Sequence, residues 1–215
     1  DMSWKMATTI QGECAINARD NVITVEDTGV LIIESGAQLT IENAELRGLT
    51  SDNFLCVDDT ATIIFKDCTI RLGQDFSFDT GSLLFQGDVV FTGTNKFIYA
   101  GSQASTIGSN STLMFDLDTT FSYAPSIANR DLLSMTDETS FLFLNGCTLY
   151  STPTGICLTK GTLFLNNLVT FNSDGTVESE AICVGDGTAD NDLTVKILAD
   201  ANVDISGEFH YNNVN

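Results

Sequence analysis

Gly155-Ile156-Cys157-Leu158-Thr159-Lys160-Gly161-Thr162-Leu163-Phe164-Leu165 contains the two phrases from which the fold is read. The first, residues 155–158, sets apolar side chains two apart, the mark of a short strand with one buried face. The second, residues 163–165, repeats that alternation after a turn of Thr, Lys and Gly. Both phrases recur along the chain. The first returns at 22–25, 54–57, 97–100, 132–135 and 181–184, with a poorer copy at 76–79. The second returns at 39–41, 63–65, 83–85, 113–115, 142–144 and 193–195. The six intervals between Val22 and Ala181 average about 26 residues, a period that marks a solenoid.

Aligned copies of the first phrase predict which side chains face inward. One expected interior column is Ile23, Leu55, Ile98, Leu133, Ile156 and Ile182; a second is Val25, Val57, Ala100, Met135, Leu158 and Val184. The column between them (Thr24, Cys56, Tyr99, Ser134, Cys157 and Cys183) is expected to point outward. A propeller blade needs about 40 residues, more than these intervals supply. The expectation is an all-β chain: one right-handed parallel β-helix of about seven coils filling residues 1–215. Residues 1–20 would form an N-terminal edge or assembly segment.

Composition supports this reading and narrows the partners. Fourteen phenylalanines and 17 glycines stand against two prolines, and no window has apolar residues at helical spacing between capping signals. The 29 acidic and 9 basic residues leave a formal charge of −20, which repels nucleic-acid phosphates and anionic membranes. No run of 18 apolar residues offers a membrane-spanning helix. The chain starts at Asp1 without an initiating Met, which suggests a processed end.

The six cysteines are constrained by the same frame. Cys14, Cys68 and Cys147 each precede an apolar residue by two, so they are expected to face inward in one column as free thiols, too many coils apart to bridge. Cys157 and Cys183 share an outward column in neighbouring coils, within bridging range. They are the disulfide candidates, the competing reading being a thiol pair tucked under a loop. Cys56 has no such neighbour. Zinc is not expected, because no Cys-x-x-Cys occurs and His210 is the only histidine.

Parallel β-helices often carry polysaccharide-degrading enzymes, which makes the carboxylate clusters candidate catalytic groups. Asp58-Asp59 is similar to the paired aspartates of polygalacturonases, but Asn-Thr-Asp, Gly-His-Gly and Arg-Ile-Lys are missing. Asp116 with Asp118 is a second cluster. A pectate lyase would need a basic Arg or Lys, and the four arginines (Arg19, Arg47, Arg71 and Arg130) are scattered. No catalytic residue is therefore assigned and no enzymatic activity is expected. Asp186, Asp190 and Asp192 lie in a loose calcium-like loop without the register of an EF-hand; an ordinary Asx turn is the competing reading. Asn110-Ser111-Thr112 is a formal glycosylation sequon.

Four phrases carry a resemblance: residues 81–93 (Gly-Ser-Leu-Leu-Phe-Gln-Gly-Asp-Val-Val-Phe-Thr-Gly), 116–123 (Asp-Leu-Asp-Thr-Thr-Phe-Ser-Tyr), 158–163 (Leu-Thr-Lys-Gly-Thr-Leu) and 184–188 (Val-Gly-Asp-Gly-Thr). They resemble the large surface β-helix proteins of Dependentiae-type bacteria and, more loosely, adhesin and autotransporter passenger solenoids. The resemblance spans just over half the chain and implies export and a surface role, without catalytic residues.

The leading functional expectation is a non-enzymatic extracellular or cell-surface module. A solenoid ends in open strand edges, and neither terminus carries an amphipathic capping helix. Trp4, Met6, Ile10, Phe209 and Tyr211 are the candidates for a head-to-tail interface that builds a filament. A host-surface glycan or protein is a further expected partner. The alternatives are a carbohydrate-active or glycan-binding β-helix, using outward aromatics such as Tyr99, and a trimeric tail-spike-like protein.

Overall fold

A computed structural model describes residues 1–188 and 192–212. The chain is a parallel β-solenoid of about nine turns, with one short 3-10 turn at Glu178–Glu180 as the only helical element among the described residues. Every strand pairing is parallel. Each turn lays one straight segment on each of three faces, and nine segments stack on every face. Face A runs from Thr8–Ile10 through Phe76–Phe78 and Phe121 to Asn202–Ser206. Face B runs from residues 13–17 to Phe209–Tyr211, and face C from Met2–Trp4 to Asp192–Ile197.

The sequence unit behind each turn is a three-residue strand, a turn, and two longer strands joined by a tight corner. The first strand occurs nine times, starting at Thr8, Leu31, Phe54, Phe76, Ser105, Leu133, Ile156, Ile182 and Phe209. Its first and third residues point inward, as burial of Leu31 and Ile33, Phe76 and Phe78, and Ile156 and Leu158 shows. The corner between the second and third strands uses a left-handed residue: Asn43, Asp67 and Gly87 in early units, Gly146 and Asn167 in later ones. Gly, Asn and Asp are the residues that hold that backbone at least cost.

One strand lies outside this unit. Lys96–Tyr99 pairs with the first strand of unit four (Phe97 opposite Phe76) and the third strand of unit five (Phe97 opposite Phe121). It advances the chain by one face. Before it, first strands lie on face A; after it, they lie on face B, so Thr106 of unit five pairs with Leu84 in the second strand of unit four. The second strand of unit five likewise pairs with the third strand of unit four, Leu113 opposite Val89.

This slip corrects the seven-coil alignment. Residues 22–25 are a third strand and 97–100 cover the inserted one, while three first strands (Thr8–Ile10, Leu31–Ile33 and Ser105–Ile107) go unrecognised in that alignment. The expected columns hold for Ile23, Leu133, Ile156 and Ile182 and for Val25, Met135, Leu158 and Val184, all buried. They fail in the phrases at 54–57 and 97–100. Phe54 and Phe97 take the inward place, leaving Leu55 45% and Val57 53% exposed and turning Tyr99 inward to 1% exposure. A shift of one residue exchanges the two faces of a strand, and the larger ring wins the interior.

The core thickens around the slip. Phe91 and Phe97 lie 4.5 Å apart, Phe115 and Phe121 4.7 Å, and Phe97 stacks at 5.9 Å on both Phe76 and Phe121. Each such pair adds roughly 0.5–1.5 kcal/mol beyond area burial. Tyr99 and Tyr123 stack at 5.7 Å beside them. Their hydroxyls fasten the surface insertions: Tyr99 donates to the Gln103 carbonyl, and Tyr123 donates to the Asn129 carbonyl at 2.8 Å while accepting from the Leu132 amide at 3.0 Å.

Candidate functional site

The acidic clusters are occupied in closing turns. Asp58 accepts from Ser35 Oγ one turn below at 2.5 Å, and from the amide and hydroxyl of Thr60 at 2.8 and 2.5 Å. Thr60 Oγ1 in turn accepts from the Gly36 amide at 2.7 Å. The same device recurs at Asp137, with Ser109, Thr139 and the Asn110 amide in the matching places. The serine hydrogen bond, then the threonine ones, hold both carboxyls below the usual aspartate range. Asp59 accepts from Ser102 Oγ at 3.0 Å and Gln103 Nε2 at 3.1 Å, anchoring the insertion after Tyr99.

Asp116 heads a corner ladder. It accepts from Asn145 Nδ2 at 2.6 Å, and Asn145 Oδ1 accepts from both Asn166 and Asn167 at 2.8 Å. Asp118 is a left-handed corner residue. Two of the four arginines serve Glu45, to which Arg47 and Arg71 donate through Nε at 2.8 and 2.9 Å. Those two bonds lower the Glu45 carboxyl. His210 lies 3.5 Å from Glu208 and 4.0 Å from Glu178.

In the calcium-like loop, Asp186 accepts from the Thr188 amide at 2.9 Å and its hydroxyl at 2.7 Å. Asp190 lies outside the described residues, and Asp192 opens a face C strand. No cluster of three metal-ligating side chains is present among the described residues.

The inward cysteines do not share a column. Cys14 is half-buried on face B opposite Leu39, Cys68 is on face C opposite Ala44, and buried Cys147 precedes the face A strand Thr148–Ser151. The slip and the separate strands place them apart. Burial pushes the Cys68 thiol up to about 11 and that of Cys147 to about 12. Cys157 and Cys183 do come together as direct partners on face B, both as free thiols.

The two ends of the solenoid differ from the rest of its surface. Among the described residues, the last segments on faces A, B and C at the C-terminal end each have a strand partner on one side only. Ile197, Ile205 and Tyr211 are 64%, 53% and 57% exposed around a hollow whose lining is wholly apolar. Phe209 is half-buried, with its ring 5.1 Å from Phe171. At the N-terminal end Met2, Ser3, Trp4, Ile16 and Ile23 border a second, mostly apolar hollow; Met6 is exposed and Ile10 is buried in its own turn.

Sequence reasoning missed one outward feature. Phe143 and Phe164 are ladder partners on the exterior of face C, and with Phe141 and Thr112 they line a shallow hollow. Lys196 Nζ lies 5.1 Å above the Phe164 ring. Their signal was the alternate residues of the second phrase, which carry Phe where most copies carry Thr, Ile or Leu.

These features define a parallel β-solenoid repeat protein. Compared with known proteins, the chain matches no family model, no curated protein and no solved structure.

Proposed function

We propose that the chain is a non-enzymatic structural or adhesive solenoid, working outside the cell or at its surface, which stacks head to tail into filaments. The observation that carries this is the exposed apolar rim of the last described turn, where Ile197, Ile205 and Tyr211 surround an apolar hollow. The described strands begin on face C with Met2–Trp4 and end on face B with Phe209–Tyr211. The faces therefore follow in the same order, C, A, B, in the first and last described turns, and the next segment in step would fall on face C. A second copy placed on the open end would set its Met2–Trp4 over Asp192–Ile197 and continue all three faces in step. The apolar lining at both ends would be buried by the same contact, and the open edges would gain strand partners. The resemblance to surface β-helix proteins supports the extracellular setting.

Electron microscopy and sedimentation of the purified chain test this. The expected result is filaments or higher oligomers whose share grows with concentration, abolished in Ile197→Lys/Ile205→Lys with an unchanged β-sheet spectrum. Monodisperse monomers at high concentration would overturn it, and a discrete trimer would favour the tail-spike reading. A second reading, glycan binding, rests on the outward Phe141, Phe143 and Phe164. It expects retention on a glycan array that is lost in Phe143→Ala/Phe164→Ala.

A further inference from the structure

Cys157 and Cys183 are ladder partners in adjacent turns, which puts their Cα atoms about 4.8 Å apart, inside the disulfide range of about 4.4–6.8 Å. The pair is covered by one residue. The Arg130 carbonyl accepts from the Cys157 amide at 2.9 Å, while Arg130 Nη2 donates to Cys183 Sγ and, at 3.3 Å, to the Ala181 carbonyl. Arg130 Nε is buried without a partner. Cys183 is thereby buried, whereas Cys157 keeps partial access to solvent.

We propose that Cys157 and Cys183 form a reversible, redox-active dithiol, latched by Arg130, that closes to a disulfide on meeting a soluble disulfide oxidant. Cys157, the accessible thiol, loses its proton and attacks one sulfur of the oxidant, releasing the other half as a thiol. Cys183 then loses its proton and attacks the mixed disulfide at Cys157, releasing the second half. Two electrons pass to the oxidant, whose sulfur–sulfur bond breaks as the Cys157–Cys183 bond forms. Closure ties the seventh turn to the eighth. Burial pushes the Cys157 thiol up to about 12, partly offset by the Arg130 charge, so closure is slow at neutral pH and quickens as pH rises.

The test is incubation of the full chain with oxidised glutathione, then alkylation, intact mass and peptide mapping. The expected product is two hydrogens lighter, links the peptides of Cys157 and Cys183, reverts with a reducing agent and melts about 5 °C higher. Arg130→Ala uncovers Cys183 but also removes the charge that favours the Cys157 thiolate, so it should speed closure only at high pH and slow it near neutrality, and Cys183→Ser should stop at a glutathione adduct on Cys157. A chain that keeps both thiols free, or that links any other pair first, would overturn the proposal. The outcome is independent of head-to-tail stacking, since it is read on dilute monomer.

Discussion

Turns built before Lys96–Tyr99 and turns built after it use the same three-strand unit, yet set it on different faces. In the early turns the tight corner at Asn43, Asp67 or Gly87 joins faces B and C; in the later turns Gly146 and Asn167 join faces C and A. The Asp-x-Thr turn moves with it, from between faces A and B at Asp58 to between faces B and C at Asp137. Local sequence therefore decides where the chain bends and which side chains face inward. Which face a strand occupies depends only on how many strands precede it. The comparison also separates two kinds of stability: a shared apolar interior, thickest at the slip, and small polar devices repeated at each corner.

The largest way to break this arrangement is at the slip. Phe97→Ala removes the ring that bridges Phe76 and Phe121 and stacks on Phe91, leaving a cavity in both halves. A loss of about 3–5 kcal/mol is expected from denaturant unfolding. Tyr123→Phe keeps the ring and deletes the hydroxyl that holds Asn129 and Leu132. It should cost about 1–3 kcal/mol, because the Leu132 amide is left without its acceptor. Hydrogen exchange should quicken around Leu132 and leave the early turns unchanged.

The smallest effect sharpens the equivalence of the displaced corners. Asp58 and Asp137 both have carboxyls lowered from 3.8 by matching serine and threonine bonds. Near that value the unfolded chain binds protons that the folded chain does not. Their contribution is thus complete above 3.8 and fades as pH falls through the lowered folded values. Asp58→Asn and Asp137→Asn should flatten the acid limb of a Tm-versus-pH curve by similar, small amounts, since both carboxylates face solvent. Unequal effects would separate the two corners.

The strand content and the parallel stacking were legible in the sequence because alternation is visible wherever both inward residues are apolar, as in Ile156 and Leu158. Ser105-Thr106-Ile107 was not, since its inward Ser105 is polar and buried, its hydroxyl serving the Leu83 amide at 2.8 Å. Leu31-Ile32-Ile33 hides its alternation by being apolar throughout. The slip itself is invisible to pattern, because Phe97-Ile98-Tyr99 reads like any other strand and all three faces share one period. At the candidate sites, the pairing of Cys157 with Cys183 followed from adjacent copies of one phrase. Arg130 reaches Ala181 and Cys183 across 51 and 53 residues from inside an insertion, where no repeat constrains the chain.

The most direct test of the slip is oxidative cross-linking between outward positions. Ser77→Cys with Ile98→Cys joins residues that are partners across the slip, whereas Ser77→Cys with Thr106→Cys joins the first strands of units four and five. Efficient cross-linking of the first pair and none of the second is the predicted result. Cross-linking of Ser77→Cys with Thr106→Cys instead would place successive first strands on one face and contradict the inserted strand.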